Sequence, residues 1–269
     1  MKNKYFFTLI IGFLLAMSLT AQEESNVAET PIRTDRPSQT YSSYLVQKGV
    51  LQIESGVGYV QFNRIGSGQD FFIENFTVNT TQLRYGVSKN IELRFSQNIS
   101  FDRLGPKGDK FTSDLIFAPT SIGAKIHVIE ERGYVPEISF LGEIGNGIFS
   151  DLGDQNIKLF RFNFSNTISS KFSIAYSLGM NFGNNFRNST ASISLLGSYA
   201  LSNKISAFAE YYTVLNPDFF NTHNYDFGVT YLVNNNLQLD MYAGSYFKEN
   251  GMAPNLIFGF GFATRLFNK

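Results

Sequence analysis

Two histidines, His127 and His223, and no cysteine bound the chemistry open to this chain. Without cysteine there are no disulfides and no thiolate nucleophile or ligand. A serine hydrolase needs a histidine within reach of its hydroxyl and a third group to orient the ring. On a strand, His-x-Ser would put that pair on one face. Here Val128-Ile129 follows His127 and Asn224-Tyr225 follows His223. Two separated histidines also lack the spacing of a histidine metal site. No residue is therefore assigned a catalytic, cofactor-binding or metal-binding role.

The remaining titratable residues fall at regular places. Glu54, Arg84, Glu92, Arg94, Lys125, Glu137, Glu143, Arg161, Glu210, Asp226, Asp240 and Arg265 each occupy the polar phase of a run that alternates with period two. Leu51, Ile53, Val57 and Tyr59 alternate with Gln52, Glu54, Gly56 and Gly58. Phe160, Phe162 and Phe164 oppose Arg161, Asn163 and Ser165, and Phe258, Phe260, Phe262 and Leu266 oppose Gly259, Gly261, Ala263 and Arg265. Such alternation is that of strands with one apolar and one polar face. Seven of the twelve charges are acids and five are bases, spread over many strands. Mixed signs fit a lattice of internal salt bridges, or a polar track or gate, better than a single-sign ion filter.

Twelve runs carry the pattern: 50–62, 75–88, 91–100, 113–128, 134–145, 157–168, 172–182, 189–200, 205–215, 223–233, 237–247 and 255–267. Short connections (Lys89-Asn90, Glu131-Arg132-Gly133, Ser169-Ser170-Lys171, Ser202-Asn203-Lys204, Asn234-Asn235-Asn236) follow the even runs. Longer ones, about 63–74, 101–112, 146–156, 183–188, 216–222 and 248–254, follow the odd runs. The outward residues are Phe, Tyr, Leu and Ile, where a secreted sandwich would be polar. The fold expected is all-β: a transmembrane antiparallel up-and-down barrel of about twelve strands, both termini periplasmic and no edge strand left open.

The two ends agree. A basic start, the apolar run Tyr5–Leu15 and small residues up to Ala21 read as a signal peptide over 1–21. Residues 22–48 read as an extended periplasmic segment, and 49–269 as the barrel. Residues 1–21 hold two lysines and no acid, so 20 of 22 Lys+Arg remain against 22 Asp+Glu, a balance of −2. That offers no electrostatic basis for nucleic-acid binding. No apolar run of about 18 residues follows the signal, yet 28 Phe and 14 Tyr are present. The final strand finishes in Leu266-Phe267, the aromatic ending that barrel assembly machinery is expected to read, although Asn268 and Lys269 follow it.

Three stretches carry a family resemblance: Thr34-Asp35-Arg36-Pro37-Ser38, Lys48-Gly49-Val50-Leu51-Gln52-Ile53-Glu54-Ser55-Gly56, and Leu83-Arg84-Tyr85-Gly86-Val87 followed by Ile91-Glu92-Leu93-Arg94. In order and spacing they resemble the outer-membrane family named for the meta-pathway of phenol degradation. The resemblance covers most of the chain after residue 21. It implies a barrel in the bacterial outer membrane that passes small hydrophobic or aromatic compounds.

The expectation is passive or facilitated diffusion of such a solute, with lipid and the assembly machinery as the other partners and no cofactor. A structural or surface-interaction barrel with a blocked lumen is the alternative, and a lipid-modifying barrel enzyme a third. Twelve strands lie between the eight that leave room only for side chains and the sixteen that leave a channel. The segment before the barrel could enter such a lumen, with Asp35 and Arg36 pairing its charges. Pro119, inside the fourth run, marks a bulge or a seam through which an apolar solute could slip sideways. Phe71-Phe72, Phe149, Phe186 and Phe219-Phe220 read as interfacial anchors in the outer loops.

Overall fold

The computed structural model describes residues 30–65, 70–106, 111–146, 157–182, 189–215, 222–247, 252–253 and 256–267. The expected signal peptide, residues 22–29, Phe149, Phe186, Phe219 and Phe220 lie outside them, and Phe71 and Phe72 are described in backbone only.

Twelve long strands form the wall: β1 (Val50–Ile65), β2 (Asp70–Ser88), β3 (Ile91–Pro106), β4 (Thr120–Ile129), β5 (Glu137–Asn146), β6 (Ile157–Thr167), β7 (Phe172–Phe182), β8 (Thr190–Ala200), β9 (Ile205–Leu215), β10 (Thr222–Asn234), β11 (Leu237–Tyr246) and β12 (Ile257–Phe267). Each pairs antiparallel with its sequence neighbours. The ladder from Val50↔Phe267 to Val60↔Ile257 joins β1 to β12 and closes the barrel. Among the described residues no helix is long and apolar enough to cross a membrane.

Burial is inverted relative to a soluble domain. Val57, Leu93, Ile122, Ile144, Phe162, Leu178, Leu195, Phe227, Met241 and Phe260 are all exposed on the outer face. Gln52, Glu54, Arg84, Glu92, Arg94, Lys125, Asn163 and Asp226 are almost wholly buried inside. An apolar band of this extent in water would be an aggregation surface; against lipid it is the favourable face. Cross-strand ring pairs such as Phe164–Tyr176, stacked at 4.7 Å, and Phe76–Phe101, stacked at 4.8 Å, run along that face.

The tight turns have a chemical basis. Ser169 Oγ accepts from the backbone N–H of Phe172 at 3.0 Å, and Ser202 Oγ accepts from that of Ile205 at 3.1 Å, so the two Ser-x-Lys turns close alike. Asn234 Oδ1 accepts from Asn236 N at 2.8 Å. The β4–β5 turn is longer than expected, spanning 130–136, with Arg132 paired to Val135 and Gly133 at φ 60°.

Two expectations need correction. The first three strands continue well into what reads as loop, β1 to Ile65, β2 from Asp70 and β3 to Pro106. Away from lipid neither face need be apolar, so the period-two signal fades where pairing continues. The fourth run is not one strand from Ser113. It breaks at Ala118-Pro119, between a short Ile116–Phe117 pairing with β3 and β4 proper. Proline has no ladder donor, and the Gln97 side chain fills the gap. Its Nε2 donates to Ala118 O at 2.8 Å and Asn98 O at 3.0 Å, and its Oε1 accepts from Thr120 Oγ1.

Candidate functional site: a plugged lumen

Residues 30–48 run inside the barrel, not beside it in the periplasm. Ile32, Asp35, Thr40, Ser43 and Val46 are buried there. The segment leaves the lumen over Gly86, where Gly49 N donates to Gly86 O at 2.8 Å. A Cβ on Gly86 would fall 2.1 Å from Gln47 O, so only glycine lets the chain cross at that point.

Asp35 is the centre of the contact. Its Oδ2 accepts from Arg94 Nη1 at 2.7 Å and lies 3.6 Å from Arg84 Nη1, while Lys125 Nζ reaches its Oδ1 at 3.2 Å. Strands β2, β3 and β4 thus each send one cation to one acid of the plug. Glu54, Glu92 and Glu143 fill the gaps. Arg84 bonds Glu54 Oε1 and Glu92 Oε1, both at 2.8 Å, and Arg94 Nε bonds Glu143 Oε1 at 3.2 Å. Glu54 Oε2 also accepts the backbone N–H of Asp35 at 3.1 Å and of Arg36 at 3.0 Å. Lys125 Nζ donates to Ser42 O at 2.8 Å and Glu92 Oε2 accepts from Val46 N at 2.8 Å. Burial alone would raise the Asp35 carboxyl, but Arg84, Lys125 and Arg94 together hold it well below the usual carboxylate range.

Other lumenal charges grip the plug elsewhere. Asp240 takes a two-pronged contact from Arg36, at 3.0 Å to Nη2 and 3.3 Å to Nε, while Arg36 Nη1 donates to Thr80 Oγ1 at 3.0 Å. The Arg36 guanidinium lies flat on the wall where Gly56 of β1 faces Gly261 of β12. Glu210 accepts from Gln39 N at 2.8 Å, Thr40 N at 2.5 Å and the Thr40 hydroxyl. Arg161 Nη1 donates to Gln39 O at 2.8 Å, and Arg265 Nη2 to Thr30 O at 2.7 Å. The Tyr41 ring sits beneath Arg161 at 4.4 Å and Arg94 at 5.0 Å; burial, then the nearby Glu143, pushes its phenol up.

Of the twelve charges read onto the polar phase, ten join this network. Glu137 and Asp226 make no hydrogen bond or ion pair to the plug among the described residues. Glu137 meets His127 Nδ1 at 3.1 Å at the periplasmic rim. Asp226 sits across the ladder from Glu210, and its Oδ1 has no hydrogen-bond partner among the described residues. His223 Nδ1 meets Tyr211 OH at 2.6 Å on the outer face, so the two histidines stand at opposite rims. Among the described residues no cluster of three or more His, Asp or Glu is arranged to hold a metal.

Sequence reasoning missed the plug's backbone, with Gln39, Thr40, Ser42, Tyr44 and Val46, which supplies as many contacts as its charges. Only the inward glycines beneath Arg36 hint at so close an approach.

Charges on β1–β4, β6, β9, β11 and β12 grip the plug, while the wall over β7 and β8 is small and hydroxylic. There a cavity of about 420 Å³ runs between the plug and Ser165, Ser173, Leu196, Ser198, Phe208 and Thr230. A second, of about 680 Å³, opens at the periplasmic mouth. Arg33 and Tyr44, stacked with the guanidinium 3.6 Å from the ring centre, border both.

An outer membrane channel from Pseudomonas putida F1 shares this fold, with a TM-score of 0.63 over 85% of this chain and 100% of that one at 12% identity. The transport unit of the autotransporter AIDA-I from Escherichia coli aligns with a TM-score of 0.52 over 94% and 97% of the two chains, at 9% identity. No curated protein matches the chain in sequence. The model of one family matches residues 34–266, which takes in both the plug and the barrel, and the chain belongs to that family, described as "Putative MetA-pathway of phenol degradation".

Proposed function

We propose that this outer-membrane barrel passes small hydrophobic or aromatic compounds by diffusion, through the cavities that lie beside its plug. One observation carries the reading: cavities of about 420 and 680 Å³ lie beside the plug. Those volumes are in the range of small-molecule sites. The smaller cavity is lined by Ser165, Ser198, Leu196 and Phe208, with no charge of the wall among them. Family membership and the fold shared with an outer membrane channel support the same reading. No step in this passage requires catalysis or energy coupling.

The test is uptake by vesicles containing the refolded protein, comparing small aromatic solutes with sugars of similar mass. Aromatics should enter faster. A second reading, a structural barrel with a closed lumen, draws on the number of charged contacts that fix the plug. It expects no flux of either solute from the intact chain. Turnover of lipid by the same vesicles would revive the enzymatic reading.

A further inference from the structure

The periplasmic cavity is unbalanced in charge. Arg33, Lys48, Lys89 and Arg265 line it, with Glu130 and Glu137 as its acids. Both acids are occupied. Glu137 contacts His127 Nδ1 at 3.1 Å and accepts from Glu131 N at 3.0 Å, and Glu130 lies 3.7 Å from Arg132. Among the described residues no carboxylate comes within 4.0 Å of any of the four cations.

Arg265 is the unusual member. It is 7% exposed, and it points into the lumen opposite Gln52, away from lipid. Its Nη2 is held by two carbonyls, Thr30 O at 2.7 Å and Asn235 O at 2.5 Å, while its Nε has no hydrogen-bond partner among the described residues. A buried guanidinium neutralised by no acid, with a donor left over, is costly unless an anion completes it. The cavity also has an aromatic wall, since the exposed Arg33 stacks on Tyr44 there.

We propose that this cavity binds a small aromatic carboxylate, the carboxylate at Arg265 and the ring on the Arg33–Tyr44 stack. Lys48 and Lys89 at the rim draw the anion in. The proposal concerns equilibrium binding and does not rest on solute passage.

Benzoate binding to the full-length protein in detergent, measured by ligand-observed NMR against benzyl alcohol and acetate, tests it. Benzoate should bind about tenfold more tightly than benzyl alcohol, as a charge-assisted bond to guanidinium implies. In Arg265→Gln that preference should vanish, with folding checked by heat-modifiable gel migration. Arg33→Ala, at an exposed position, should bring benzoate down to the affinity of acetate while leaving acetate unchanged. No preference for benzoate in the wild type, or a preference that survives Arg265→Gln, would overturn the proposal. So would benzoate binding that emerges only after Glu29 is changed to Gln, which would assign the cavity to the chain's own acid.

Discussion

Arg94 and Asp35 stand 59 residues apart in the chain and 2.7 Å apart in the lumen. One lies on the wall and the other on the plug, so this pair ties the segment to the barrel. Arg84 and Lys125 converge on the same carboxylate.

Asp35→Asn removes the anion common to three buried cations. Breaking one partner of a buried pair costs about 3–5 kcal/mol, enough to release a short segment while the wall stays closed. Single-channel recordings in planar bilayers should show raised conductance, and the 30–48 segment should become open to protease. A variant with wild-type conductance and a protected segment would show that Asp35 does not hold the plug.

The same cations determine how docking responds to acid. Asp35 titrates well below its ordinary value, so its contribution is complete above an unfolded-state pKa of about 3.9 and is lost as pH falls through the lowered one. Conductance should stay flat from neutral pH down to about 4 and rise only in stronger acid. A rise already between about pH 7 and 5 would mean that another group controls docking.

Gly261→Ala should mimic loss of Arg36. The new Cβ would fall 2.1 Å from Arg36 Nη2, driving the guanidinium off Asp240. Gly58→Ala is the matched control, because its Cβ meets Tyr242 OH at 3.4 Å, an ordinary contact. Conductance should rise in the first variant and not in the second; equal behaviour would show that the glycine strip under Arg36 has no special role.

The wall ladder breaks at Pro119, where the Gln97 side chain takes the place of backbone pairing. Pro119→Val restores a backbone donor where Gln97 now bridges the gap. If apolar solutes leave through this seam, their uptake should slow in the variant while ion conductance is unchanged. Unaltered uptake would remove the seam from the mechanism.

The wall was legible because lipid demands an apolar residue at every second position, which writes strand phase into the sequence. From that phase Glu54, Arg94 and Lys125 could be placed inside without a structure. Their partners could not, because convergence of β2, β3 and β4 on Asp35 depends on stagger between strands, which no local pattern records. The continuation of β1 to β3 was hidden for the opposite reason: beyond the lipid neither face is constrained. Glu137 shares the phase of the network charges yet lies at the periplasmic rim, since phase gives the side of the wall and not the height along it.

The seat of Arg36 over Gly56 and Gly261 has an evolutionary corollary. The interior of this barrel is completed by its own N-terminal tail, so tail and wall form a lock and key within one gene. A change from glycine to a larger residue at either wall position should persist only in lineages where position 36 has become small, with the acid at 240 lost along with it. Drift in the wall would thus be paced by drift in the tail, two parts that are remote in sequence and inherited as one.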